Sequence, residues 1–262
     1  KCLPGSWGAL CIVAAGATSC HMMKSDDIYR AAVAFALPPR CAACGQVVGD
    51  DLELCVTCWQ SLNFLTGDGC EQCGMPIAPI HAICAPCLEQ SPDHDGAYAA
   101  VAYGEIARNI ALKLKHGRRI GLAKLMARLI ARRLPDESGV LMPVPLHRWR
   151  IWRRGFNQSA LIARRLAEMT GLPLQLDTLQ RTKQTPMLRG ANARERSKAV
   201  GGAFSVLPRS QAALKGGTVF LIDDVYTSGA TANACARALK RAGAKKVVVL
   251  CWARVMLGST AD

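Results

Sequence analysis

The chain has 262 residues, half of them apolar, which is enough for one α/β domain with a sizeable core and a small additional module. Its 33 basic and 19 acidic residues give a net charge of +14, which favours either general solubility or a polyanionic partner such as pyrophosphate or nucleic acid. No apolar run is long enough for a membrane-spanning helix, and the size of the expected core argues against a small disulfide-framed secreted domain.

Residues 1–38 form an N-terminal extension that we expect to be non-native or disordered. Within it, residues 9–17 are apolar and allow two interpretations. They are either the core of a secretion signal that ends near Cys20, or they precede a native start at Met22 or Met23. We favour the second interpretation, because the features that follow suit a cytoplasmic protein.

Eight of the 13 cysteines form four Cys-x-x-Cys pairs, arranged as two repeats within residues 39–93. Ten residues separate the two pairs of each repeat, a spacing that is typical of tetrahedral zinc ribbons. The candidate ligands are Cys41, Cys44, Cys55 and Cys58 in the first repeat, and Cys70, Cys73, Cys84 and Cys87 in the second. Ligation within each repeat is the simpler arrangement, with an interleaved cross-brace or a contribution from His81 as alternatives. We expect two structural zinc ions, whose binding supplies folding energy to the module.

Residues 94–262 have the pattern of an α/β domain. Weak alternation of apolar and polar residues predicts a strand at 95–103, and apolar runs predict strands at 140–144, 219–222 and 246–252. Apolar residues at helical spacing predict helices at 106–114, 122–134, 159–169 and 231–242. The uniform apolarity of residues 219–222 is typical of a parallel strand that is buried on both faces. The predicted fold is therefore a parallel sheet flanked by helices.

The segment at residues 146–157 combines cationic and aromatic side chains, and we interpret it as a loop. Its candidate binding residues, with the one that follows it, are His147, Arg148, Arg150, Arg153, Arg154, Asn157 and Gln158. Arginine suits bidentate contact with phosphate, and Trp149, Trp152 and Phe156 suit the stacking of single-stranded bases. The sequence leaves three alternatives: a pyrophosphate loop, a nucleic-acid surface, and an exposed cationic loop whose tryptophans fold into the core.

Residues 181–204 are polar, basic and poorly periodic, as expected for a lid. They precede the strand at 219–222 and are placed to close over a site at its end. Arg181 and Arg196 are candidate catalytic residues that, with Arg189 and Arg194, would supply positive charge to a leaving pyrophosphate. A solvated lid without a catalytic role is equally compatible with the sequence.

Asp223 and Asp224 directly follow the strand at 219–222, at the edge where open parallel sheets bind ligands. Adjacent carboxylates suit the vicinal hydroxyls of a ribose. The next residues offer backbone N–H groups, hydroxyls and a glycine near a helix N terminus, as a phosphate requires: Tyr226, Thr227, Ser228, Gly229, Ala230 and Thr231. The combination predicts a ribose 5-phosphate site, with a polar turn that binds no ligand as the alternative. This stretch resembles the phosphoribosyl-pyrophosphate signature of type I phosphoribosyltransferases.

From about Cys41 to the C terminus, the order of motifs resembles the ComF family. The resemblance rests on the tandem ribbons, Pro143 and Pro145, residues 154–158, Arg181, Thr185, Arg196, Phe204 and the stretch 223–231. It implies a type I phosphoribosyltransferase-like fold that binds phosphoribosyl pyrophosphate with Mg²⁺. It also implies a cytoplasmic role in competence, with single-stranded DNA and the DNA-uptake machinery as partners. If the site is catalytic, a nucleophile would displace pyrophosphate from the anomeric carbon, and the protein would position the reactants and stabilise the leaving group.

Whether the chain is an enzyme stays open, because no residue identifies an acceptor. The sequence is compatible with a donor-binding protein that handles single-stranded DNA. It is also compatible with an active metabolic phosphoribosyltransferase that uses a nitrogen acceptor, or with a non-catalytic ligand-sensing regulator.

Overall fold

A computed structural model of the protein describes residues 38–50, 53–67, 69–78, 80–117, 119–183 and 193–256. The predicted N-terminal extension lies outside these ranges except for its last residue. The predicted lid residues Thr185 and Arg189 lie outside them as well.

The two cysteine repeats fold in the same way. In each repeat, the backbone N–H of the first cysteine donates to a carbonyl five residues later: Cys41 to Gln46 and Cys70 to Met75, both at 2.7 Å. A short helix then begins directly after the third cysteine, α1 (Val56–Gln60) after Cys55 and α2 (Ala85–Glu89) after Cys84. The sequence repeat is therefore a structural repeat.

A four-stranded parallel sheet forms the centre of the larger domain. Its strands lie in the order β1 (Ala97–Ala102), β6 (Lys246–Arg254), β5 (Thr218–Tyr226) and β2 (Val140–Pro143). Two short strands, β3 (Leu179–Arg181) and β4 (Phe204–Val206), form a separate antiparallel pair. The predicted parallel sheet is confirmed.

The described part of this domain contains six α-helices. They are α3 (Glu105–Lys115), α4 (Leu122–Ala131), α5 (Arg148–Arg154), α6 (Gln158–Thr170), α7 (Ala193–Val200) and α8 (Ala230–Arg241). Among them, α3, α4, α6 and α8 pack on the two faces of the sheet. Two 3₁₀ turns, Pro208–Ser210 and Ala212–Leu214, precede β5.

Side-chain alternation along the strands divides the core in two. On one face, Phe220 and Ile222 of β5 pack with residues of α3, α4 and α6, and on the other, Val219 and Leu221 pack with residues of α8. Successive side chains of a strand point to opposite faces, so a strand covered on both sides must be apolar throughout. This arrangement accounts for the uninterrupted apolar run at 219–222.

The first cysteine repeat shares the core of the larger domain. Its residues Cys41, Ala42 and Cys58 belong to the same buried cluster as α3 and α4. The second repeat has its own small cluster, formed by its four cysteines and Met75. The two repeats therefore dock on the sheet domain in different ways.

Three sequence predictions need correction. Residues 146–157 are not a loop throughout, because α5 occupies residues 148–154, with His147 as its N-cap and Gly155, at a φ of +87°, as its C-cap. The segment 181–204 is not irregular throughout, because it contains α7 and ends of the β3–β4 pair. Strand β5 does not end at residue 222, because its pairing with β6 continues to Tyr226 opposite Arg254.

Candidate functional site

The two adjacent aspartates lie in the last part of β5, beside the start of α6. Ser159 Oγ donates to Asp223 Oδ1 at 3.1 Å, and Gln158 Nε2 donates to Asp224 Oδ2 at 3.3 Å. Both carboxylates also accept backbone hydrogen bonds, from the N–H groups of Asp224 and Val225. The first turn of α6 therefore fixes both carboxylates from one side.

The electrostatic environment of Asp223 favours its protonated form. Burial raises the pKa of Asp223 well above its usual range, and the neighbouring Asp224 carboxylate raises it further. A carboxyl group held this way benefits from a ligand that donates hydrogen bonds or from a cation. Ribose hydroxyls and Mg²⁺ are both of that kind.

The loop after β5 turns directly into helix α8. Gly229 has a φ of +74° and is the N-cap of α8, with no side-chain cap on the helix. The first N–H groups of a helix lack intrahelical partners, and the helix dipole is positive at this end. The loop residues Thr227, Ser228 and Gly229 thus lead into the N terminus of a helix, an arrangement that is compatible with the predicted phosphate site.

Tyr226 lies in strand β5 and not in the predicted loop. Its side chain is buried, and its hydroxyl lies 3.0 Å from His94 Nε2. The Tyr226 side chain packs against Gly229 of this loop.

Two predicted arginines lie close to the aspartates. Arg154 donates to Gln158 Oε1, which links it to Asp224 through the Gln158 side chain. Burial lowers the pKa of Arg181, and the Asp223 carboxylate opposes this effect, which places Arg181 within electrostatic reach of Asp223. Arg150 lowers the pKa of both Arg154 and Arg181, so its charge lies near both of these arginines.

Two other predicted binding residues have structural contacts. Asn157 Oδ1 accepts from the Ser159 N–H and caps α6, while its Nδ2 donates to Val144 O at 3.0 Å and ties the start of this helix to the end of β2. His147 caps α5 in a similar way by accepting from Trp149 N–H. The side chains of Arg194 and Arg196 lie outside the described part of the structure.

Helix α5 projects an aromatic and cationic surface from the site. None of its residues is buried, and Trp149 and Trp152 are 51% and 74% exposed. Their rings stack with centroids 4.9 Å apart and an interplanar angle of 18°. The alternative in which the tryptophans fold into the core is therefore wrong. Arg148 and Arg153 are exposed beside them on the same helix.

The eight cysteines form two separate groups, Cys41, Cys44, Cys55 and Cys58, and Cys70, Cys73, Cys84 and Cys87. Within each group the Sγ atoms all lie within 4.8 Å of one another. Tetrahedral ligation at a Zn–S distance of about 2.3 Å places sulfur atoms about 3.8 Å apart. The distances of 3.7 Å between Cys44 and Cys55 and 3.6 Å between Cys73 and Cys84 fit this geometry. The cysteines are grouped within each repeat, as in the sequential arrangement, and His81 belongs to neither group.

Backbone hydrogen bonds prepare the first cysteine of each group for metal binding. Burial alone would raise the pKa of Cys41, but backbone N–H groups of Cys55, Cys44 and Ala43 lower it to about 6. The equivalent bonds lower the pKa of Cys70 to about 6 in the second group. Because the thiolate is the form that ligates a metal, both groups suit zinc.

Ser159 and the cluster around Tyr226 were not predicted from the sequence. Ser159 sits at the predicted start of a helix, where serine is common for reasons unrelated to a ligand. The one indication in the sequence that Ser159 belongs to the site was its position directly after the candidate binding residues Asn157 and Gln158. Arg254 and His94 gave no signal, because Arg254 meets Tyr226 only through the pairing of β5 with β6, and His94 only through the tertiary fold. Among the described residues, none of the helices combines the length and apolarity needed to cross a bilayer.

Comparison with known proteins matches both parts of the chain. Residues 32–90 match the double zinc ribbon domain and residues 151–256 the phosphoribosyl transferase domain. The chain is 32% identical to the DNA utilization protein YhgH of Escherichia coli (strain K12) over 198 residues, which is 71% of this chain and 84% of the relative.

Two further relatives carry competence names. The chain is 29% identical to competence protein F of Haemophilus influenzae, over 69% of this chain and 82% of the relative. It is 26% identical to competence protein ComFC of Bacillus subtilis, over 74% of this chain and 80% of the relative. With its double zinc ribbon, its phosphoribosyltransferase fold and these relatives, the chain belongs to the ComF family of DNA utilization and competence proteins.

Proposed function

We propose that this protein binds phosphoribosyl pyrophosphate at the carboxyl end of β5 and acts in the handling of single-stranded DNA. The observation that carries the donor site is the order of its parts. Two carboxylates held by Ser159 and Gln158 lead within five residues to the positive N terminus of α8. The carboxylates would accept bonds from the ribose hydroxyls, and residues 227–231 would hold the 5-phosphate.

The arginines beside the aspartates supply the remaining charge. The donor carries a pyrophosphate group, and Arg154 and Arg181 lie near Asp224 and Asp223 respectively, with the charge of Arg150 close to both arginines. Arginine forms bidentate bonds with phosphate oxygens and stays charged at neutral pH. Mg²⁺ would neutralise part of the charge of the pyrophosphate. Asp223 and Asp224 are the candidate residues for contacting both the ribose and the metal ion.

Helix α5 supports the second part of the proposal. A single-stranded nucleic acid needs aromatic faces for its bases and cations for its phosphates. Exposed, stacked Trp149 and Trp152 provide the first, and Arg148 and Arg153 provide the second. The relatives are named for DNA utilization and competence, and we extend that role to this chain, including a partnership with the DNA-uptake machinery.

We further propose two structural zinc ions and a cytoplasmic location. Eight thiolates grouped for metal ligation are maintained most readily under reducing conditions.

Thermal unfolding tests the donor site. A ligand present at 100 times its Kd adds about 2.7 kcal/mol to the free energy of unfolding, so phosphoribosyl pyrophosphate with Mg²⁺ should raise Tm by roughly 5 to 10 °C. The Asp223→Asn/Asp224→Asn variant should lose this shift relative to its own unliganded Tm. The variant Glu168→Gln, at an exposed carboxylate paired with Arg165, should keep it. An equal shift in the double aspartate variant would contradict the proposed site.

Fluorescence anisotropy of a labelled single-stranded oligonucleotide tests the DNA surface. The Trp149→Ala/Trp152→Ala variant should bind at least about tenfold more weakly, since each stacked base contributes about 1–3 kcal/mol. Trp59→Ala, at a partly exposed tryptophan of the first ribbon, is the matched control and should bind normally. Unchanged binding in the double tryptophan variant would remove α5 from the proposal.

The two alternative functions are outcomes of the same work. Pyrophosphate release that depends on a defined nitrogen acceptor would favour a metabolic phosphoribosyltransferase. Donor binding without DNA binding or turnover would favour a ligand-sensing regulator.

A further inference from the structure

A buried arginine connects the second cysteine group to the end of β6. Arg254 is only 3% exposed, and its guanidinium donates to the backbone carbonyl of Cys73. The other terminal nitrogen of the guanidinium lies 3.9 Å from Cys73 Sγ. Four thiolates and one Zn²⁺ carry a net charge of about −2, so a zinc-loaded group would attract this cation strongly. Arg254 therefore joins the second ribbon to the sheet through both charge and hydrogen bonding.

The same guanidinium contacts the residue at the end of β5. It lies over the Tyr226 ring at 4.9 Å from the ring centroid, and the two residues are partners in the β5–β6 register. The Tyr226 hydroxyl is in turn bonded to His94, which lies between the second ribbon and β1. All three side chains are buried, so each limits the position of the next.

Tyr226 also sets the position of the proposed phosphate loop. A Cβ atom at Gly229 would lie 2.4 Å from the Tyr226 hydroxyl oxygen and 2.9 Å from Cζ. The Tyr226 side chain thus packs directly against the residue that begins α8. A shift of this ring would displace the loop or leave a void beneath it.

A second set of contacts holds α8 itself. Asn233 Oδ1 accepts from the Asp93 N–H at 3.0 Å, Arg237 pairs with Asp93, and Lys240 pairs with Asp95 at 2.7 Å. Asp93 and Asp95 belong to the segment that leaves the second ribbon. The helix whose N terminus faces the proposed phosphate is therefore anchored to the same part of the chain.

The first ribbon has no comparable arrangement among the described contacts. It docks through Lys113 of α3, which donates to the backbone carbonyls of Ala42 and Ala43. Helix α3 carries none of the proposed site residues. The first ribbon is thus a natural control for the second.

We propose that the second zinc ribbon positions the phosphate loop, with Arg254 and Tyr226 as positioning residues. Loss of the metal from this ribbon releases Cys73, deprives the buried Arg254 of its partner, and loosens Tyr226 beneath Gly229. The effect on the loop follows from the packing alone, whereas the effect on ligand affinity rests on the proposed donor site.

Hydrogen–deuterium exchange of the full-length protein tests the coupling. In Cys73→Ser and Arg254→Gln, amide exchange in residues 226–231 should rise by about tenfold, as expected for loss of a charged hydrogen bond. The matched variants Cys44→Ser and Lys113→Gln alter the first ribbon in the equivalent ways and should leave this exchange unchanged. Tyr226→Phe keeps the ring but removes the hydroxyl, so it should raise exchange by a smaller factor even if the other variants fold poorly.

Ribose 5-phosphate binding to the same variants gives the second measurement. Arg254→Gln should weaken binding by about tenfold, and Lys113→Gln should not. The proposed coupling would be overturned if Cys73→Ser lost its zinc without a change in amide exchange of the loop. It would also be overturned if this exchange rose equally in Cys73→Ser and Cys44→Ser. If the wild type binds neither ribose 5-phosphate nor phosphoribosyl pyrophosphate, the proposed donor site fails, but the exchange comparison still decides whether the ribbon positions the loop.

Discussion

At the scale of single residues, the site buries an ionisable carboxyl group where folding alone would favour an apolar side chain. Asp223 lies among Ser159, Asp224 and Cys235, and burial raises the pKa of its carboxyl. Such placement costs stability, and binding sites commonly retain residues of this kind because a ligand offsets the cost. The free energy of unfolding of the unliganded protein should therefore rise when the buried carboxyl of Asp223 is replaced by an uncharged group.

The variant Asp223→Asn should be more stable than the wild type at neutral pH. The folded protein keeps a proton on Asp223 that the unfolded chain releases above about pH 4, so the free energy of unfolding of the wild type falls as pH rises towards the folded-state pKa. An amide oxygen can still accept the bonds from Ser159 and Asp224, and the gain should be about 1 kcal/mol, or roughly 2–4 °C in Tm. Thermal unfolding between pH 4 and 8 measures both effects, and a lower Tm of the variant at pH 7 would contradict the assignment.

Gly229→Ala should destabilise the protein more than Gly216→Ala. Both glycines have a φ of +74°, but a Cβ at Gly216 meets no atom within 4 Å, whereas at Gly229 it meets the Tyr226 hydroxyl. The backbone cost of about 1 kcal/mol is common to both, so the difference measures the contact with Tyr226. In a Tyr226→Phe background, the difference in free energy of unfolding between the two glycine variants should shrink. Chemical denaturation of both glycine variants, each with Tyr226 retained and with Tyr226→Phe, measures this. A difference that is the same in both backgrounds would show that the contact is unimportant.

At the scale of elements, the parts of the sheet that follow a simple pattern were predictable. The apolar runs located β2, β5 and β6, and the helix after Gly229 was placed within one residue of its observed start. The extension of β5 through Tyr226 was not predictable from polarity, since backbone pairing with β6 and not side-chain burial continues the strand. Helix α5 was missed because none of its residues is buried, so no apolar face marks its period.

The candidate site was predictable where its residues follow one another in the chain. The Asp223–Asp224 pair and the loop at 227–229 form a local motif, and each cysteine repeat likewise contains all of its ligands. Arg181 and Ser159 approach Asp223 only through the tertiary fold. Because no local pattern links these distant positions, their proximity could be predicted only once the tertiary arrangement of the chain was known.

We expect the aromatic and the cationic residues of α5 to contribute to DNA binding in separable ways. Replacement of Arg148 and Arg153 by glutamine should reduce the slope of log K against log salt by roughly 1.4, because each lost contact with a single strand accounts for about 0.7. Loss of the stacked tryptophans should weaken binding without changing this slope. Titrations at several salt concentrations measure both quantities, and an unaltered slope in the arginine variant would show that these residues do not contact phosphate.

At the scale of the whole molecule, the two cysteine groups have different relations to the sheet. The first is continuous with the core that covers one face of the sheet, while the second forms a separate cluster joined to the sheet by Arg254. Metal loss should therefore affect global stability through the first ribbon and the proposed binding loop through the second.

Zinc content and unfolding together test this division. The purified, unoxidised protein should contain two zinc ions, and Cys58→Ser and Cys87→Ser should each retain one. Cys58→Ser should lower Tm more, because Cys58 packs in the main core. Elemental analysis with thermal unfolding measures both properties, and zinc well below one ion per chain in the wild type would contradict metal binding.

The most direct test of the central claim is isothermal titration of phosphoribosyl pyrophosphate with Mg²⁺ into the wild type and into the Asp223→Asn/Asp224→Asn variant. We expect about one site per chain in the wild type and no measurable binding in the variant, because the ribose hydroxyls lose both carboxylates. The Trp149→Ala/Trp152→Ala variant should bind the donor as the wild type does. Absence of binding to the wild type, or equal binding to the double aspartate variant, would contradict a donor site at the end of β5.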